Sequence, residues 1–111
     1  MKLLIGLALC VSTVSFAAAD DATRDLLIDK LKGVHLNLSP EDPSKVSVSL
    51  RLADLYSERA RVSAMKELES GCTVCTAGED DRKKALSLYK ESVAKAPETS
   101  RSKVMIQMGH L

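Results

Sequence analysis

The chain has 111 residues, enough for one domain at most, with 16 Lys and Arg against 15 Asp and Glu and only one Phe and two Tyr as aromatics. A balance this near neutrality argues against nucleic acid as a partner, because that requires a basic face, and against polybasic membrane contact. Without Trp, the core must be built mainly from Leu, Val, Ala and Met.

At the start, Met1-Lys2 supplies a positive charge, Leu3 to Phe16 is mostly apolar, and Ala17-Ala18-Ala19 is a small-residue cleavage signal before Asp20. This is the three-part pattern of a secretory signal peptide. The apolar run is shorter than the ~20 residues that span a bilayer. Residues 1–19 are therefore expected to be removed after Ala19, with Ala17 as the second choice, and the product exported to a periplasmic or extracellular space. Cys10 lies where a lipoprotein cysteine could, but Leu9 is bulky for that motif and too little chain precedes it for both a charged start and an apolar core. Removal of Lys2 brings the basic residues to 15, equal to the acidic ones, and leaves no segment for stable membrane insertion. A remainder this small buries only about 60–65% of its unfolded surface and is marginal alone.

Residues 20–43 are expected to form a short helix and a loop. Leu27, Leu31 and Val34 fall at i, i+4 and i+7 on one helical face, and Gly33 is expected to weaken or end that helix. In the loop Ser39-Pro40-Glu41-Asp42-Pro43, Asp42 suits an N-cap with proline at the first helical position. The stretch from Ser44 to Ser70 opens with strand-like alternation at Val46, Val48, Leu50 and Leu52. From Leu52 the spacing becomes helical, through Tyr56, Ala60, Ala64 and Leu68, with Leu55 and Met65 widening the stripe. No Gly or Pro interrupts it before Gly71, so the whole stretch reads as helix.

Gly71 to Gly78 reads as a linker holding Cys72 and Cys75. Glu79-Asp80-Asp81 places acid at the positive end of a third helix, whose face is Ala85, Leu88, Tyr89, Ser92 and Ala96. Asp80/Lys84 and Glu91/Lys95 have the spacing of favourable i, i+4 pairs. Pro97 ends the helix, and Glu98-Thr99-Ser100 can cap a last one carrying Val104, Met105 and Met108. The expected fold class is all-α, made of antiparallel helical hairpins.

Leu52-Ala53-x2-Tyr56, Ala85-x3-Tyr89 and Pro97 resemble the tetratricopeptide repeat (TPR), a helix–turn–helix unit of about 34 residues with a Trp-x2-Leu-Gly-x2-Tyr first helix and an Ala-x3-Phe…Pro second helix. Met105-x2-Met108-Gly109 is similar to the opening of a further repeat, whose aromatic would fall one residue past Leu111. Tyr56 and Ala85 stand 29 positions apart, where the family has about nine, so the resemblance implies a cysteine-containing insertion. Residues 44–111 would form a TPR-like region, incomplete at its C-terminus. The resemblance implies a scaffold that binds a protein or peptide in a helical groove in a bacterial periplasm. It places Ser47, Leu50, Asp54, Ser57 and Glu58 on the groove side. A plain capping hairpin is the structural alternative.

Cys72-Thr73-Val74-Cys75 is the one chemically suggestive motif. In an exported chain the two remaining cysteines form one disulfide most simply. Thiol–disulfide exchange would need a helix N-terminus behind the pair. A c-type haem needs His directly after the second cysteine, and position 76 is Thr. Zinc needs four ligands, and beside the two cysteines only His35 and His110 are on offer, both far away in sequence. The alternative function is thus a small exported redox or metal-binding module centred on this pair. No catalytic residue, cofactor or metal ligand is assigned, and no enzymatic activity is expected.

Overall fold

The computed structural model describes the backbone from residue 15 and side chains from residue 21 to the C-terminus; the expected signal peptide falls largely on residues outside the described ones. The described residues form four helices and no strand: α1 (Ser15–Asn37), α2 (Ser44–Glu69), α3 (Glu79–Lys95) and α4 (Glu98–Gly109). The fold is all-α. Each helix packs on the next in chain order, most extensively α2 on α3. Asp21 meets Lys66 while Asp25 meets Arg59, and Asp81 meets Arg59 while Tyr89 meets Asp54, so α1 runs antiparallel to α2 and α2 to α3.

Helix α2 begins as its residues dictate. Asp42 Oδ1 accepts the Ser44 N–H at 2.8 Å, and the Asp42 carbonyl accepts the Lys45 N–H at 3.0 Å. Pro43, already in helical conformation, has no N–H to leave unpaired. The strand-like alternation at Val46 to Leu52 is absorbed into this helix, which no residue before Gly71 interrupts. Gly71 then takes the left-handed conformation, φ +83°, that stops it. Pro97 likewise separates α3 from α4.

The core is the seam between α2 and α3. Leu52, Ala53, Leu55 and Tyr56 on α2 pack with Ala85 and Tyr89 on α3, joined by Ile28 from α1 and Val104 from α4. Ala53, Ala60 and Ala85 are fully buried; their small side chains let the helix backbones approach while Tyr56 and Tyr89 fill the space beside them. Gly78 carries this approach to its limit. It has φ +84°, and a Cβ there would lie 2.5 Å from the Ala60 carbonyl oxygen.

Several expectations are corrected. Gly33 does not end α1, which continues to Asn37. The inward face of α1 is Arg24, Ile28, Leu31 and His35; Val34 stays 45% exposed and Leu27 36%. Both faces have helical spacing, and the partner helix selects the one bearing Ile28. The stripe on α2 also loses its cover towards the C-terminus, where Met65 and Leu68 are exposed. The linker enters α3 where Gly78 rests on Ala60, so α2, which runs on to Glu69, extends past the start of α3. Neither Asp80/Lys84 nor Glu91/Lys95 is among the ion pairs of the described residues. Lys84 lies 5.4 Å from the Tyr56 ring centroid, and Lys95 Nζ donates to the Pro40 carbonyl at 3.3 Å. A cation over a buried ring outweighs an exposed pair worth a few tenths of a kcal/mol. Helix α4 has no side-chain cap; the Pro97 carbonyl accepts the Ser100 and Arg101 N–H groups instead.

Candidate functional site

Helix α2 is the spine of the molecule, and clefts flank it on each side. On its α1 side a cleft of about 500 Å³ is lined by Arg24, Leu27, Arg51, Leu55, Glu58 and Lys66, among others. Part of its charge is paired within the cleft. Asp21 accepts from Arg24 Nη2 at 2.6 Å and from Lys66 Nζ at 3.1 Å, and the Lys66 and Arg24 bonds hold its carboxyl below the usual Asp range. A second cleft of about 330 Å³ lies between α1, α2 and α3, with Leu36, Leu52, Tyr56 and Leu88 as its walls and Lys32 and Lys84 at the rim.

The third region lies between α2 and α4. One part, about 220 Å³, is lined by Leu50, Asp54, Tyr89, Lys103, Val104 and Gln107. An adjoining part of about 180 Å³ shares Gln107 and is bordered by Ser57, Arg61, Arg82 and His110. Asp54 is held here by the Tyr89 hydroxyl, which donates to its Oδ1. Burial above all, and then this bond to a carboxylate, push the Tyr89 hydroxyl up to about 12. Against this one carboxylate stand Arg61, Arg82 and Lys103, so the charged groups that line the cleft are net positive.

Of the five residues that the repeat resemblance places on the groove side, Leu50, Asp54 and Ser57 border this α2–α4 region. They follow each other at i, i+4 and i+7, so one helical face carries them all. Glu58, one position on, faces the α1 side instead. Ser47 is exposed and lines none of these clefts.

Arg59 fixes the geometry of the spine. Its Nε and Nη2 donate to the two carboxylate oxygens of Asp81 at 2.8 and 3.0 Å, and its Nη1 donates to Asp25 at 3.0 Å. One guanidinium therefore ties α1, α2 and α3 together, with the planar fork that suits two-point carboxylate binding. The Asp81 bond raises its pKa despite partial burial.

At the free end of α2 the linker folds back. Ala77 N–H donates to Glu67 Oε1 at 2.8 Å, and Cys72 and Cys75 form a disulfide with Cα atoms 5.7 Å apart. A ligand oxygen of Glu67 and both sulfurs lie within 4.8 Å of one another. Sequence reading misses Glu67, because a single carboxylate in a charged helix carries no mark of what folds over it. His35, half-buried on α1, and His110, the C-cap of α4, are not in this cluster. No known family, curated protein or solved structure matches the chain.

Proposed function

We propose that the chain is an exported interaction scaffold of TPR type, which binds an extended segment of a protein partner in the α2–α4 cleft. The observation that carries this reading is the cleft itself: Leu50, Asp54 and Ser57 on α2 face Lys103 and Gln107 on α4. Leu50 and Val104 offer an apolar floor, Gln107 can both donate to and accept from a peptide backbone, and the cationic rim favours acidic side chains or a carboxylate. The seam supports the same reading, since Ala53, Ala85 and Tyr89 do in it what small and aromatic residues do between stacked repeat helices. The long α2 and its linker account for the extra length between Tyr56 and Ala85.

The test is a selection of extended peptides against the purified chain. Acidic sequences should be enriched, and both Gln107→Ala and Lys103→Glu, at exposed positions of the cleft, should weaken the selected peptides by about tenfold or more while the melting temperature is kept. Enrichment of no peptide, or of peptides indifferent to both substitutions, sinks the proposal. The alternative, a redox or metal module at Cys72 and Cys75, gains support from Glu67 beside the pair and can be examined separately.

A further inference from the structure

We propose that Glu67, Cys72 and Cys75 form a zinc site that opens when the disulfide is reduced. The inference stands apart from peptide binding, since these residues lie at the overhanging end of α2, beyond the α2–α4 cleft.

Three features of the short segment from Glu67 to Ala77 converge here. Glu67 sits on the last turn of α2, where the negative end of the helix favours a cation. Gly71, at φ +83°, turns the chain so that Cys72 comes back over that turn. The Ala77 N–H then holds Glu67 Oε1 at 2.8 Å and fixes the direction of the carboxylate, as hydrogen bonds to metal-binding carboxylates commonly do. The ligand atoms lie within 4.8 Å of one another. A tetrahedral Zn²⁺ with Zn–S near 2.3 Å places two sulfurs roughly 3.8 Å apart, so the required change is a small separation of two atoms that are already neighbours.

The donor set chooses the ion. Two thiolates favour a soft or borderline cation, and a carboxylate disfavours Cu(I), which leaves Zn²⁺ as the fit among common ions. Two thiolates and one carboxylate supply three protein ligands, and water takes the fourth place. Cys75 and Thr76 are exposed, so ion and reductant both have access.

Disulfide and metal exclude each other, because a covalent S–S bond holds the sulfurs about 2 Å apart and leaves no thiolates. A dithiol reductant opens the bond in a balanced exchange. It passes two electrons and two protons to the pair, becomes a disulfide itself and leaves two Cys thiols. Zn²⁺ then displaces those two protons and binds both thiolates with the Glu67 carboxylate. The linker is closed in either state, by a bond when oxidised and by an ion when reduced.

The test uses Co²⁺ as a spectroscopic probe on the full chain, reduced with a phosphine that does not compete strongly for the metal. The reduced protein should take one Co²⁺ per chain, with thiolate-to-cobalt charge-transfer bands that one equivalent of Zn²⁺ bleaches; the oxidised protein should show none. Glu67→Gln keeps an oxygen for the Ala77 N–H and should bind Co²⁺ at least about tenfold more weakly. Cys75→Ser, at an exposed position, should lose most of the charge-transfer intensity with unchanged helical content. Absence of bands in the reduced protein, their presence in the oxidised one, or equal affinity in Glu67→Gln overturns the proposal. Helix lost on reduction and not regained with Zn²⁺ overturns it as well.

Discussion

The α2–α3 seam and the outer faces of α1 and α4 are built on opposite rules. In the seam the residues in contact are small: Ala53, Ala60, Ala85 and Gly78, with Tyr56 and Tyr89 closing the gaps. On the outer faces, large side chains such as Leu26, Met105 and Ile106 remain exposed, and α1 meets α2 through the ion pairs Asp21–Lys66 and Asp25–Arg59 beside the buried Ile28. The difference teaches where stability resides. Close backbone approach excludes water and fixes one arrangement, while the large exposed residues contribute surface that costs the fold little to change.

That contrast can be broken most forcefully at Tyr89. Tyr89→Ala removes a fully buried ring from the seam together with the donor to Asp54, and should cost about 3–5 kcal/mol in chemical denaturation. A loss below about 1 kcal/mol would show that the seam is not the core. The two left-handed glycines sharpen the comparison, because they share a backbone conformation and differ only in surroundings. Gly78→Ala adds a Cβ against the Ala60 backbone and should cost about 2–4 kcal/mol, whereas Gly71→Ala, with nothing within 4 Å, should cost about 1–2 kcal/mol. Equal losses would mean that the close approach of linker and helix is absent.

Alkaline titration probes the seam without mutation. Burial raises both tyrosines above the usual range, Tyr89 to about 12. A folded pKa above the unfolded value near 10 means that the stabilisation is complete below pH ~10 and is lost as pH rises towards 12. Tyrosinate absorbance should therefore appear late, with loss of helical circular dichroism alongside it. Two tyrosines titrating freely near pH 10 in a folded chain would contradict the burial. The smallest effect is expected on the outer face: Met105→Lys and Ile106→Lys should each change stability by no more than about 0.5 kcal/mol.

Much of this fold is written in local residue choice. Asp42-Pro43, Gly71, the acids at Glu79 to Asp81 and Pro97 each end or begin a helix through their own backbone chemistry, so the element boundaries follow from the sequence. The face of α1 does not, because Leu27/Leu31/Val34 and Ile28/Leu31/His35 have equally helical spacing and only the shape of α2 separates them. The same holds at the candidate sites. The spacing of Leu50, Asp54 and Ser57 places them on one face, but that α4 lies opposite depends on how the hairpins stack. Glu67 meets Cys72 and Cys75 through the turn at Gly71 and the Ala77 N–H bond to its carboxylate, a fold-back of the linker that no residue spacing announces.

Recognition in the α2–α4 cleft is the central claim, and a nuclear magnetic resonance titration with a selected acidic peptide tests it most directly. Backbone shift changes should concentrate at Leu50, Asp54 and Arg61 on α2 and at Lys103 and Gln107 on α4. Changes centred instead on Lys32, Leu36 and Leu88, around the apolar cleft on the other side of α2, or no saturable change at all, would contradict it.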